Sequence, residues 1–187
     1  MGTLDNNHPN NKQRGAVLVV SLLMLLVMTI LGVAGMGSTN LEQRMAANNR
    51  DRDIAFQAAE LALRDGERKV RNNNYTPASF SATCVGGLCT EASGTTARWR
   101  DGALDVWNTG TRHFTYSETS SISVNNGVSQ TPVYILEWLG YVRPVGWSVG
   151  DPNPGPGDPE MYRITAIGYG LSSDARVMLQ STYQKNP

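Results

Sequence analysis

Ala16–Met36 reads AVLVVSLLMLLVMTILGVAGM. The run carries no charge, and its only hydroxyls are Ser21 and Thr29. About 20 apolar helical residues cross the hydrocarbon core of a bilayer, so the stretch is long enough to span one. It is also longer than the hydrophobic part of an ordinary secretory signal. The preceding residues, MGTLDNNHPNNKQRG, are short and hydrophilic, and Lys12 and Arg14 stand just before the apolar run. The positive-inside rule then keeps the N-terminus in the cytoplasm and sends everything after Met36 outward, which in a Gram-negative cell is the periplasm.

The polar helix that continues the run is marked by spacing. From Met36 to Asn74 there is no proline. Ala55, Ala58, Ala59 and Ala62 fall at i, i+3, i+4 and i+7, a narrow stripe of small residues suited to packing on a core. Ile54 and Leu61 adjoin this face, with Phe56, Leu63 and Val70 expected to broaden it. Glu60 with Arg64, and Glu67 with Arg71, are i,i+4 pairs worth a few tenths of a kcal/mol each. The helix is expected from about Ala16 to Arg71, stopping at Asn72-Asn73-Asn74 before Pro77. At ~1.5 Å per residue that is on the order of 80 Å. Gly32, Gly35 and Gly37 form a weak point, each costing about 1 kcal/mol relative to Ala. They are open to local unwinding or to close helix–helix packing.

Beyond the helix, Tyr75 to Ala103 is polar and rich in Ser, Thr, Gly and Ala, with no clear strand. It holds the only cysteines, Cys84 and Cys89. Two thiols are too few for a structural zinc site, and His8 and His113 are not at ligand spacing. A small disulfide loop in an oxidising compartment is expected, in independent agreement with the outward topology. Trp99 and Trp107 are expected to anchor this region. Strands are expected at His113–Glu118, Ser121–Val124, Pro132–Val142, Met161–Tyr169 and Arg176–Tyr183, the last alternating Val177, Leu179 and Ser181 against Met178, Gln180 and Thr182. Asn125-Asn126-Gly127 and Leu171–Asp174 read as hairpin turns. The fold class is α+β: a long N-terminal helix packed on a four- or five-stranded antiparallel sheet. The loop GWSVGDPNPGPGDPE, with four prolines, reads as irregular surface chain. Its acids Asp151, Asp158 and Glu160 match no calcium-binding spacing.

With 187 residues, 16 basic and 16 acidic, there is no bulk attraction to nucleic acid. No nucleophile elbow, phosphate loop or convincing acid pair is present, so neither an enzyme nor a cofactor is expected.

Gly15 ends the polar leader and directly precedes the apolar run. A secretory signal is cut after its hydrophobic segment, whereas here the small residue lies before it. In this the sequence resembles the type IV prepilins. That resemblance implies cleavage after Gly15 by a prepilin peptidase and N-methylation of the new N-terminus, Ala16. Losing Lys12, Arg14 and Asp5 would leave 14 basic and 15 acidic residues, a net charge of about −1. Asn40–Glu67, NLEQRMAANNRDRDIAFQAAELALRDGE, is similar to the N-terminal region of PilX-type minor pilins. MYRITAIGYGLSSDARVMLQSTYQ (161–184) is similar to the closing strands of that family. One departure matters. Pilins usually carry a glutamate at the fifth mature position, and here that residue is Val20. Ala16–Leu41 contains no acid at all. A buried carboxylate in lipid is costly without a partner, so a subunit lacking it needs no neighbour above.

The resemblance therefore implies a minor pilin at or near the pilus tip, helping to prime assembly and supporting adhesin display, twitching motility and attachment. Its implied partners are other minor pilins, the major pilin, the inner-membrane assembly machinery, the prepilin peptidase, a large tip adhesin and membrane lipid, with no nucleic acid. The expected organisation is leader 1–15, membrane or filament-core helix 16–37, periplasmic helix 38–72 and globular part 73–187. The chain would be a single-pass inner-membrane protein before assembly. Two alternatives remain at this point. A tip pseudopilin of type II secretion also lacks the glutamate, but this chain has no room for the inserted helical domain of such subunits. The other is a signal-anchored periplasmic binding module.

Overall fold

The computed structural model describes residues 15–117, 127–143, 146 and 153–187. Its first element, α1 (Ala16–Asn72), is a 57-residue helix that runs through Gly32, Gly35 and Gly37 without interruption. It ends where the asparagine run predicts, with the Asn73 amide and side chain both donating to Lys69 O. The chain divides into two compact units, one ending at Ala47 and the other Asn48–Pro187. In the first unit the apolar side chains from Val17 to Val33 are all more than half exposed.

In the second unit, β1 (Leu88–Thr90), β2 (Phe114–Thr115), β3 (Val133–Tyr141), β4 (Glu160–Tyr169) and β5 (Arg176–Lys185) form one sheet. The order is β1-β3-β4-β5, with β2 also on β3. β3, β4 and β5 make an antiparallel meander. One correction concerns β1, which pairs in parallel with β3 and lies in the Tyr75–Ala103 stretch expected to hold no strand. Three residues are too few to show alternation, and their pairing is long-range, so no local signal marks them. The sheet is thus mixed, though mostly antiparallel. Of the strand expected at 113–118, Phe114–Thr115 is strand, His113, Tyr116 and Ser117 are not, and Glu118 lies outside the described residues. Ser121–Val124, and Asn125 and Asn126 of the expected turn, lie outside the described residues.

The sheet is covered on both faces. On one, Ala62, Leu63 and Val70 of α1 pack with Tyr134, Leu136, Tyr162, Ile164 and Ala166. On the other, Cys84, Cys89 and Val106 pack on Ile135, joined by Trp99, Leu104 and Trp107. Two-sided cover explains why Val133–Leu136 of β3 is a continuous buried apolar run, followed by the buried Glu137. β5 alternates because α1 covers one of its faces only. Phe56, expected on the packed face, is instead exposed, whereas Leu63 and Val70 are buried there with the alanine stripe as expected.

That contact is close. A Cβ on Gly168 of β4 would collide with the α1 backbone at Ala55, Ala58 and Ala59, coming within 2.8 Å of Ala58 C. Ala55, Ala58, Ala59 and Ala62 are at most 2 % exposed. Gly66 serves the reverse role, since a Cβ there would meet Ile164 Cγ2 at 2.7 Å. Gly168→Val should therefore destabilise the globular unit by more than about 3 kcal/mol, as overpacking against backbone cannot relax. Gly94→Ala, in open space, should stay within about 0.5 kcal/mol of the parent. Denaturant melts of the full chain in detergent check this, and equal midpoints for both variants would refute the close-contact account.

Candidate functional site

The expected processing junction lies in the first unit. Gly15 is exposed with nothing within 4 Å of where its Cβ would be, and α1 begins at the next residue, Ala16. The Gly15–Ala16 bond thus joins a turn to an apolar helix. Val20 is 56 % exposed. Ser21 and Thr29 each donate to the carbonyl three residues earlier, Leu18 O and Leu26 O, at 2.9 and 2.8 Å. These bonds let both hydroxyls sit in an apolar medium without an unpaired donor. The helix is long and apolar enough here to cross a membrane, with a mean hydropathy of 2.9 over its best window.

The cysteines lie in the second unit. Cys84 and Cys89 form a disulfide, and both are fully buried. Cys84 adopts a left-handed conformation at φ 57°, which turns the chain into the Val85–Gly87 turn and returns Cys89 into β1 beside Glu137 of β3. The loop is a cross-link that holds a thin outer layer onto the sheet. Trp107 Nε1 donates to Trp99 O at 2.8 Å, and His113 Nδ1 lies 2.8 Å from Val106 O. Both side chains serve this layer.

Sequence reasoning did not find the polar contacts that fasten α1 to the sheet. Asp51 accepts from the amides of Leu171 and Ser172 and from the Ser172 hydroxyl at 2.6 Å, closing the β4–β5 turn onto the helix. The Ser172 hydroxyl foremost, with the two amides, holds the Asp51 carboxyl below the usual carboxylate range. Tyr134 donates to Asp65 at 2.8 Å, while burial and then this bond push its phenol far up. Ser181 donates to Glu67 at 2.9 Å, so Glu67 engages β5 rather than pairing with Arg71 as expected. The other expected pair, Glu60 with Arg64, forms at 3.1 Å. Lys185 donates to Asn73 O and Asn74 Oδ1, tying the end of β5 to the end of α1.

Glu137 is the unusual group. It is fully buried on the outer sheet face, and neither carboxylate oxygen accepts a hydrogen bond. Arg163 Nη1 of β4 approaches to 3.8 Å. Burial raises the Glu137 pKa, opposed by Arg163 and Arg98 and reinforced slightly by Glu91. The signal was present as the one charge inside PVYILEWLGYV.

Among the described residues no group of three or more His, Cys, Asp or Glu is placed to hold a metal. Asp151 lies outside the described residues. Asp158 accepts from the Gly155 amide at 2.8 Å, and Glu160 accepts from the Tyr162 hydroxyl.

Two family models together span nearly the whole chain. The one described as PilX N-terminal matches residues 14–64, and the one described as Type IV pilus assembly protein PilX C-term matches 69–185. The chain belongs to the PilX family. It is accordingly a type IV pilus minor pilin, from a family of structural pilins rather than of enzymes. Neither a curated protein nor a solved structure matches it significantly. The PilX N-terminal match takes in the apolar start of α1 and its alanine stripe, and the C-terminal match takes in the disulfide loop and every strand.

The raised Glu137 pKa predicts that the stability of this PilX-family domain depends on pH. A raised folded-state pKa contributes stability that is full below the ordinary carboxylate value of about 4.3 and is lost as pH rises through the folded value. Asp51 has the opposite sign, since its contribution is full at neutral pH and is lost on acidification. Melting temperatures of the full chain between pH 5 and pH 8 (about the window above the ordinary value) should fall relative to Glu137→Gln as pH increases. Parallel curves for the two proteins would rule this out.

Proposed function

We propose that this chain is made as a prepilin, cut after Gly15 and N-methylated on Ala16. It then serves at or near the pilus tip, where it helps prime assembly and supports adhesin display, twitching motility and surface attachment. Before assembly it sits in the inner membrane as a single-pass protein with its C-terminal part in the periplasm.

The observation that carries this reading is the start of α1. The helix begins immediately after Gly15, and its apolar side chains to Val33 are uncovered. Side chains of that kind need lipid or other apolar helices around them. Cutting at Gly15 would remove the hydrophilic leader and free the helix to exchange lipid for a bundle of neighbouring pilin helices. The tip position is supported by Val20 and by the absence of any acid from Ala16 to Leu41. With no carboxylate to pair, the top of this helix requires no amine from a subunit above it.

Deletion of the gene should reduce surface pili and twitching, and Gly15→Leu should reproduce the loss by blocking cleavage. Mass spectrometry of the wild-type protein should find N-methyl-Ala16 as its first residue. An intact Met1 in the pilus-associated protein, or normal piliation in the deletion strain, would refute the proposal.

A further inference from the structure

The outer face of the sheet carries a groove between the disulfide-held layer and the last two strands. Trp99 and Trp107 come from the layer, Ile167 from β4 and Met178 from β5, and Arg100 and Arg176 also line it. Ile167 is 6 % exposed and forms the base, whereas Met178 is 38 % exposed. Because the Trp107 N–H is spent on Trp99 O, the Trp107 indole offers the groove its apolar surface. Both arginines are exposed. The ion pairs among the described residues use Arg64, Arg68 and Arg163, so neither Arg100 nor Arg176 is held in a direct ion pair there, although Asp51 and Asp174 line a neighbouring cavity with Arg176.

This combination is specific in its chemistry. Trp, Met and Arg are the residues enriched where protein surfaces meet, and a desolvated aromatic pocket flanked by arginine is the usual setting of a strong contact. The apolar base accepts an aliphatic or aromatic side chain. The guanidinium groups call for carboxylates, which they bind in a planar, two-pronged geometry. A bare anion or a lipid phosphate would satisfy the arginines but leave the indoles, Ile167 and Met178 unused. We propose that the groove is the docking site for a segment of another pilus protein that carries an apolar anchor beside acidic residues. The proposal rests on the minor-pilin reading and adds the surface through which the globular part meets its neighbour.

The test uses the full-length chain in its own cells, with Met178 replaced by the photo-cross-linker p-benzoylphenylalanine and Val85, exposed elsewhere, as control position. Illumination should yield an adduct with another pilus protein from position 178, mapped by mass spectrometry to a segment with Asp or Glu next to an apolar residue. Adding R100E and R176E should cut the adduct about tenfold at unchanged protein level, since each reversal turns attraction into repulsion. R100K with R176K should give a yield between the parent and the double reversal, since lysine keeps the charge and loses the two-pronged geometry. If the double reversal lowers the protein level, R100E alone should show the same loss. The absence of an adduct would overturn the proposal. So would equal yield from position 85, insensitivity to charge reversal, or an adduct with lipid or a second copy of this chain. Those results leave the minor-pilin reading intact, because that reading fails on normal piliation in the deletion strain.

Discussion

The second unit depends on one contact, in which the backbone of α1 lies against the backbone of β4 with no side chain between them. Gly168 removes the obstruction on the sheet, and the alanine stripe removes it on the helix. Packing this close leaves no slack, since interiors are filled to the density of organic crystals. It also sets what can meet on either side. Asp51 reaches the β4–β5 turn, Asp65 reaches Tyr134 and Glu67 reaches Ser181 only because helix and sheet are held at backbone distance. These polar bonds flank the alanine stripe, Asp65 and Glu67 standing on opposite sides of it, and each joins residues far apart in the chain. They act as a register lock on a contact whose main stabilisation is burial.

The same helix serves two environments. Up to Val33 its side chains are apolar and uncovered, and its hydroxyls are satisfied within the helix. From Ala55 onward its small residues face a sheet and its charges face water or the strands. Helical backbone is the form that satisfies its own polar groups in lipid. One continuous element can therefore pass from one environment to the other, and the change lies entirely in the side chains. That property suits the membrane-anchored pilus component that a PilX-family chain with an apolar N-terminal helix fits.

The outer layer is organised differently. It has little regular structure, and it is fastened by the disulfide, by β1 on β3, and by the two tryptophans. Beneath it lies Glu137, a carboxylate without a hydrogen bond. An unsatisfied buried acid is a cost in any fold. Here it lies beside Cys89 in the β1–β3 register and within reach of the Arg163 and Arg98 charges. The cost is borne where the layer meets the sheet.

Periodicity was enough to reveal α1, the three strands β3 to β5 and the alternation of β5. It sufficed because each depends on neighbours within a few residues, in steps of 3.6 or 2. The cysteine pair was legible from its spacing and from the topology of the apolar run. Four features were not. β1 is too short to alternate and pairs in parallel through a long-range contact. Phe56 is exposed although its spacing is compatible with the packed side, because the width of the buried stripe is set by the sheet and not by the helix. Glu67 turned from Arg71 to Ser181 because a strand across the interface offered a partner nearer than the next helical turn. Glu137 was visible as a lone charge in an apolar strand, but its burial requires both faces of the sheet to be covered. The sequence by itself determined the long helix, the three long strands and which part of α1 needs an apolar medium, since those follow from local spacing and solvation. Only the tertiary structure decided which charges are shared, buried or left unpaired, because those depend on what the fold brings to within a few ångströms.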